Sequence, residues 1–196
     1  IKIITKKPDV SSVDYGFDVD YGSITDGTHD QSLEAYINMP LGTNTAIRLS
    51  AYDLTDGGWI DNELTSKTFT NSGVTIDNSI HAKDDYNELN KNGFRVRLAS
   101  EIMGQNLDLS MLDQSSQFGG SWETDEAVGE RSNSRFNEEH FDDDFSQISL
   151  SLSGDLNDNV EYIFTTSSFD RDVNYTYDYS EYVEYYNYDG PTYTCD

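Results

Sequence analysis

Apolar and polar residues alternate one by one through seven segments of the chain. The alternation runs from Val13 to Tyr21 in the first segment and from Leu33 to Leu41 in the second. A period of two places the apolar side chains on one face of a β-sheet and the polar ones on the other. The predicted strands cover residues 13–25, 31–41, 45–55, 93–101, 107–115, 145–153 and 160–172. The pattern predicts an all-β, antiparallel protein.

The connectors between the predicted strands alternate in length. Tight turns follow the second, fourth and sixth strands, at residues 41–44, 103–106 and 154–159. Long polar segments follow the third, fifth and seventh strands, at residues 56–92, 117–143 and 173–196. Because alternate connectors of an up-and-down sheet lie at opposite ends, one end is trimmed and the other is elaborated. Outer-membrane barrel walls have this arrangement as a rule, and a water-soluble sandwich also fits it.

Composition narrows the choice of partners. The 196 residues predict one domain, and 37 acidic against 12 basic residues give a net charge of −25. Such a surface repels a phosphate backbone, so nucleic acid is excluded as a partner. Aromatic residues make up 13% of the chain, and the apolar residues are periodic, which indicates a folded protein rather than a disordered one. No apolar run reaches the ~20 residues of a transmembrane helix, whereas barrel strands need only about 9–11.

Catalytic and metal-binding motifs are absent from the sequence. It has no GxSxG, Walker A or GxGxxG motif, and His29, His81 and His140 lie in separate segments. Acidic runs such as residues 142–144 offer oxygen ligands for calcium, but no segment matches a calcium-binding loop, so a solvated loop is favoured. We therefore predict no enzyme activity, no metal and no cofactor.

Six short motifs give the chain a family resemblance. The first, IKIITKKP at residues 1–8, resembles the segment that ends the plug domain of TonB-dependent outer-membrane receptors. The motifs that resemble the first barrel strands of this family are at residues 21–23, 34–41, 46–52, 57–62 and 93–98. One departure is Met39, which stands where the family often has glycine. The resemblance covers roughly residues 1–115, and the remainder resembles the family only in its strand pattern.

The resemblance implies a receptor fragment in the bacterial outer membrane. Residues 1–9 correspond to the end of the plug and the plug–barrel junction, and residues 10–196 to about seven strands of an incomplete 22-stranded transmembrane β-barrel. The implied function is TonB-energised uptake of a scarce solute, most often a ferric siderophore. The implied partners are outer-membrane lipid, the TonB complex through the plug, and the small-molecule ligand.

Two functions of other classes stay open at this point. A soluble, secreted β-sandwich that adheres to carbohydrate or to another surface is the main alternative. In a sandwich the apolar stripe packs against a second sheet, whereas in a barrel it faces lipid. A glycosidase is a distant third, because carboxylate pairs are too abundant in this chain to be informative.

Three arginines are candidate ligand contacts in the barrel lumen. Arg48, Arg95 and Arg97 fall on the polar faces of the third and fourth strands. They fit hydrogen bonding to an anionic ligand, and they fit pairing with acids of the wall, which is favoured. The acids considered are Asp18, Glu34 and Asp108.

Aromatic residues are candidate ligand contacts at the outer mouth. They are Trp59 and the tyrosines of the last loop, including Tyr185 and Tyr186. Tyr52, on the polar face of the third strand, is a further candidate contact in the lumen or the outer loops. Aromatic side chains also collect at the headgroup level of membranes, so an interface belt is the alternative role.

Lys6, Lys7 and Pro8 are predicted to form the plug–barrel junction. Pro8 has no backbone N–H to donate to a ladder and therefore helps to end the plug strand.

Overall fold

The computed structural model describes residues 5–70, 72–180 and 182, and the backbone of residues 194–195. The long strands are β1 (Asp14–Ser23), β2 (His29–Pro40), β3 (Thr45–Asp56), β7 (Leu89–Ile102), β8 (Gln105–Phe118), β10 (His140–Asn157) and β11 (Val160–Asp178). The short strands are β4 (Asp61–Asn62), β5 (Ser66–Thr68), β6 (Thr75–Asp77), β9 (Ser132–Asn133) and β12 (Thr194–Cys195).

The seven long strands form one antiparallel meander. Their order in the sheet is β1-β2-β3-β7-β8-β10-β11, and β12 adds a two-residue pair to the end of β11. The prediction of an all-β chain with a large antiparallel sheet is confirmed. Within the described ranges, no helix is long and apolar enough to cross a membrane.

From β1 to β10 the register gathers most apolar residues on one face of this sheet, whereas β11 also carries Ile163, Phe169 and Val173 on the other face. Phe17 lies opposite Ala35, Ala35 opposite Ala51, and Ala51 opposite Phe94. Directly paired residues of antiparallel strands point to the same side, so the apolar face is continuous from strand to strand. A shift of one residue in any pair would move a whole set of apolar side chains to the polar face.

The described residues place no second layer over this apolar face. Phe17 is 80% exposed and Ile148 is 51% exposed. The other exposed large apolar side chains on this face are Tyr15, Val19, Tyr21, Leu33, Phe94, Ile102, Leu109, Met111, Val160 and Phe164. The sheet is therefore a single layer whose apolar side lacks a protein partner in the described ranges.

Hydrophobic burial occurs mainly in the long loops instead. Ile60, Phe69, Tyr86 and Phe136 are buried, and all four lie outside the long strands. In the described ranges Ala46, on β3, is the one buried hydrophobic residue of the sheet. The loops thus contain a small core of their own.

The trimmed end of the sheet has tight turns. Ile102 pairs with Gln105, which leaves Met103 and Gly104 as a two-residue turn with φ of 52° and 76°. Positive φ at both positions is the type I′ turn, whose twist matches that of the flanking strands. The hairpin between β10 and β11 is closed at Asn157 and Val160, next to a register shift.

The last two long strands extend further than predicted. β10 begins at His140 rather than at 145, and β11 ends at Asp178 rather than at 172. Residues 142–144, predicted to be in a loop, are therefore in the ladder. Arg171 donates two hydrogen bonds of 2.7 Å to the carboxylate of Asp143, and this pairing offsets part of the charge repulsion in the acidic run.

The predicted long loops are shorter and more structured than expected. The segments 56–92 and 117–143 reduce to residues 57–88 and 119–139, and they contain β4, β5, β6 and β9. The connector after β1 keeps its predicted length of five residues but lies two positions earlier, at residues 24–28.

Candidate functional site

The segment before β1 lies on the polar face of the sheet. Asn38, on β2 and only 1% exposed, holds it in place. Its Nδ2 donates to the carbonyl oxygens of Asp9 at 2.9 Å and Ser12 at 2.8 Å, and its Oδ1 accepts from the Asp9 backbone N–H at 2.9 Å. Three hydrogen bonds from one buried side chain fix the entry of the chain into β1.

Arg97 is a second attachment point for the same segment. Its guanidinium forms a two-pronged contact with Asp108, at 2.9 Å from Nε and 2.7 Å from Nη2. Nη1 then donates to the carbonyl and the hydroxyl oxygens of Thr5, both at 3.0 Å, and to the carbonyl oxygen of Lys6 at 3.4 Å. Arg97 therefore pairs with an acid of the neighbouring strand β8 and at the same time binds the predicted junction.

The junction residues Lys6, Lys7 and Pro8 lie between these two attachment points. Asn38 holds the chain on the C-terminal side of this segment, and Arg97 holds it on the N-terminal side. The location on the polar face agrees with the position expected for a plug–barrel junction, which itself stays a prediction.

Arg48 and Arg95 differ in the contacts that their guanidinium groups make. Arg48 lies 4.0 Å over the ring of Tyr36 and 3.8 Å from the carboxylate of Asp14. Arg95 forms no ion pair within the part of the chain that the structure describes. Of the three arginines on the polar face, Arg95 is the one without an acidic partner among the described residues.

A cavity of 550 Å³ on the polar face brings the predicted lumen residues together. Its lining includes Arg48, Tyr52, Arg95 and Arg97, together with Lys6 of the segment before β1. The Tyr52 hydroxyl donates to Oε1 of Gln114 at 2.5 Å. Trp59 is not part of this lining; it lies in the loop after β3, where its backbone N–H donates to Oδ1 of Asn87 at 2.8 Å.

At the elaborated end, two long loops fold against each other. We call residues 57–88 and 119–139 the loop cluster. Its centre is a parallel pair between β4 and β9, in which Asp61 lies opposite Ser132 and Asn62 opposite Asn133. The loop entry 57–62 thus starts the cluster, and its Gly58 is required because a Cβ there would overlap the carbonyl oxygen of Asp85.

Buried asparagines hold the loop cluster together. Asn62 accepts from the Arg135 backbone N–H at 2.7 Å and donates to the carbonyl oxygen of His81 at 2.9 Å. Asn78 donates to the carbonyl oxygens of Glu63 at 2.8 Å and Arg135 at 3.1 Å. Asparagine suits this position because its amide supplies donors and an acceptor together, which buried loop backbone requires.

Tyr86 connects the asparagine network to a buried carboxylate. Its hydroxyl accepts from Nδ2 of Asn133 at 2.6 Å and lies 3.2 Å from a carboxylate oxygen of Glu139. Burial raises the pKa of the Tyr86 hydroxyl, so the group keeps its proton and remains a donor.

A cavity of 590 Å³ opens beside the loop cluster, on the same side of the sheet as the arginines. We call it the aromatic cavity. The aromatic side chains in its lining are Phe118, Trp122, Phe141, Tyr177, Tyr179 and Tyr182. Ring contacts join several of them: Phe118 lies 5.7 Å from Trp122 and 5.6 Å from Phe141, both edge to face. Pockets of this size with aromatic linings are the usual form of small-molecule sites.

Sequence reasoning found this site only in part. The tyrosines from 175 onward were candidates, whereas Phe118, Trp122 and Phe141 were not. No sequence signal pointed to Phe118 and Phe141, because they lie opposite each other at the ends of β8 and β10, beyond the bounds predicted for those strands. Tyr185 and Tyr186 lie outside the described residues.

Comparison with known proteins adds no family assignment. No family model, no curated protein and no solved structure matches the chain.

Replacing Arg97 with alanine should release the segment before β1. The substitution removes the hydrogen bonds to Thr5 and Lys6 and leaves Asp108 without its partner. Trypsin cleavage between Lys6 and Lys7 in the folded protein should then accelerate about tenfold or more. The measurement is the rate at which the new N-terminus appears.

The matched control is Arg95→Ala, which removes the same side chain from the same strand but no contact to the segment. It should leave the cleavage rate unchanged. Equal rates for both variants would contradict the role assigned to Arg97.

Replacing Asn62 with alanine should separate the two halves of the loop cluster. Several buried donors and acceptors lose their partner, and each such loss costs roughly 1–3 kcal/mol. Digestion by a glutamate-specific protease at Glu63 and Glu123 should become much faster. The control is Asn174→Ala, an exposed asparagine of β11, for which we expect wild-type cleavage. Unchanged protection in Asn62→Ala would show that the network is not what holds the loops.

Proposed function

We propose that the chain forms the first part of the barrel wall of a TonB-dependent receptor in a bacterial outer membrane. Residues 1–9 are the end of the plug and the junction, and residues 10–196 supply about seven strands, the outer loops and part of the lumen lining. The receptor takes up a scarce solute with energy from the TonB complex. The observation that carries this proposal is the continuous apolar face over which the described residues place no protein layer.

Lipid is the covering that suits this face. Apolar area is stabilised by about 25 cal/mol for each Å² removed from water, and hydrocarbon tails remove it without a second sheet. Backbone groups inside the meander are already paired within the sheet, as a membrane requires. The outer edges of β1 and β11 need further strands, which the rest of a 22-stranded barrel provides.

The direction of the apolar band supports a tilted barrel wall. In β1 the band of apolar side chains is centred on Phe17. If each residue is followed to the one paired with it on the next strand, the row that starts at Phe17 reaches Asp170 in β11 after six strands. The apolar residues on that face of β11 are Val160, Tyr162 and Phe164, ten, eight and six positions before Asp170.

The band therefore shifts by about one residue per strand relative to the hydrogen-bonded rows. With about 3.4 Å per residue and about 4.8 Å between strands, this shift corresponds to an angle of about 35–45°. Strands of outer-membrane barrels tilt by about 35–45°, so a band that is level in the membrane crosses the rows at this angle. Packing against a second sheet has no such requirement.

The polar face supports the same assignment. In a barrel it is the lumen side, and it is the face on which Asn38 and Arg97 hold the segment before β1. A plug that enters the lumen requires this placement. The soluble sandwich, by contrast, requires a second sheet over the apolar face, and the described ranges contain none.

Lipid contact is testable residue by residue. In a Cys195→Ser background, single cysteines at Phe17 and Ile148 are labelled with a fluorophore, and the intact receptor is placed in vesicles that contain brominated lipid. Both labels should be strongly quenched. Labels at the adjacent positions Asp18 and Gln147, which point to the other face, should not be. Equal quenching at neighbouring positions would contradict a barrel wall.

Energised uptake is tested in cells. Strains that lack either this receptor or TonB are compared for uptake of radiolabelled ferric chelates and neutral oligosaccharides. Both deletions should abolish uptake of the same compound, since the receptor depends on TonB for energy. Uptake that requires the receptor but continues without TonB would contradict the proposal.

A further inference from the structure

The aromatic cavity has a chemistry that selects among ligand classes. It lies at the elaborated end, next to the loop cluster and on the face that carries the lumen arginines. We propose that it binds an uncharged carbohydrate, in the form of a short neutral oligosaccharide. This inference rests on the proposed function in one respect, that the elaborated end faces the outside of the cell.

Exposed rings provide stacking surfaces at the cavity mouth. Trp122 is 61% exposed, and Tyr179 and Tyr182 are 44% and 59% exposed. The rings of Tyr179 and Tyr182 are nearly perpendicular, with centroids 6.3 Å apart. Sugar rings carry C–H groups on flat faces that pack on aromatic rings, so a ligand with several rings in series fits several platforms.

The one guanidinium of the cavity is already neutralised. Arg135 is buried, with its Nη2 at 2.9 Å from a carboxylate oxygen of Glu123 and its Nε at 3.6 Å from one of Glu139. An anionic ligand would have to replace these partners and leave their charges unpaired, which is costly in a desolvated site. Arg135 therefore does not act as an anion receptor.

The surrounding charge also opposes an anion. The cavity lining contains the carboxylates of Glu123, Glu139 and Asp178 against the single guanidinium of Arg135. Each half of the loop cluster has six acidic and two basic residues, a net charge of −4 in each case. A negative ligand that approached this end would be repelled, and its association would be slow. An anionic ferric chelate is thus a poor fit to this cavity.

A cation is a poor fit for a different reason. Glu139 accepts hydrogen bonds from the backbone N–H groups of Ser121 at 3.0 Å and Asp178 at 3.1 Å. Asp178 in turn accepts from the backbone N–H of Phe136 and from Nδ2 of Asn137 at 3.0 Å. Both carboxylates serve the fold, and no cluster suited to a metal ion occurs among the described residues.

The remaining polar groups suit hydroxyl groups. The Glu123 side chain is 80% exposed at the cavity rim, and the phenol groups of Tyr179 and Tyr182 accept or donate. Ring-stacking surfaces with a few hydrogen-bonding groups, and with charged groups already bonded to the protein, describe a site for neutral sugars.

The test is binding to the intact receptor in outer-membrane vesicles, measured by calorimetry. The neutral probes are hexasaccharides of glucose, xylose and galactose, and the charged probes are hexagalacturonate and ferric citrate. Hexagalacturonate matches the galactose hexamer in ring number and adds only carboxylates. At least one neutral hexasaccharide should bind saturably, and neither charged probe should bind.

Variants connect binding to the aromatic cavity. Trp122→Ala and Tyr179→Ala should each weaken binding of the neutral probe about tenfold, because each removes one stacking ring from an exposed position. The matched control is Ile80→Ala, which truncates an 85% exposed apolar side chain of the loop cluster outside the cavity lining. It should bind like the wild type.

Three results would overturn the inference: no neutral probe binds, a charged probe binds more tightly than every neutral one, or Trp122→Ala binds like Ile80→Ala. The lipid-quenching result at Phe17 separates this failure from failure of the proposed function. Strong quenching without sugar binding would support the proposed receptor and contradict the inference that the aromatic cavity binds a sugar. Sugar binding without quenching would contradict the barrel-wall proposal and indicate a carbohydrate-binding β protein instead.

Discussion

The structure depends on the medium that covers the apolar face of its single large sheet. The strands from β1 to β10 gather most of their apolar side chains on one side, and residues such as Phe17 and Ile148 have no protein layer over them in the described ranges. Soluble monomers rarely expose continuous apolar patches of more than a few hundred Å². A covering is therefore needed, and in the proposed receptor it is the hydrocarbon layer, with which the shift of about one residue per strand is consistent.

In the proposed receptor, the polar face of the sheet lines the barrel lumen. At its trimmed end it holds the entering chain through Asn38 and Arg97. At its elaborated end it meets the aromatic cavity and the loop cluster. A buried polar network keeps those loops in place, which matters because a binding site on loops is only as well positioned as the backbone beneath it. Arg95 lies between these two regions with its charge unused by the wall.

The sequence predicted the long strands well and their ends poorly. The alternation from Val13 to Tyr21 has one simple cause, a sheet with two different faces, and it is legible without any tertiary contact. Residues 142–144 were predicted to lie in a loop because acidic runs are typical of loops. In the structure they belong to β10, where Asp143 pairs with Arg171 of the neighbouring strand β11. Such long-range compensation leaves no local signal.

The residues of the candidate site were also predicted only in part from the sequence. The arginines were placed on the correct face by parity alone, and the structure then separated their roles through contacts with Thr5 and Asp108. The asparagines of the loop cluster were missed, because hydrogen bonds between distant loops follow no period. Phe118 and Phe141 were missed because their pairing became visible only once the register was known.

The most direct measurement is an experimental structure of the intact protein in a lipid nanodisc. The account predicts a closed barrel in which the band from Phe17 to Phe164 lies level within the acyl-chain density, with the segment before β1 inside the lumen. A second protein layer packed over that band would contradict it.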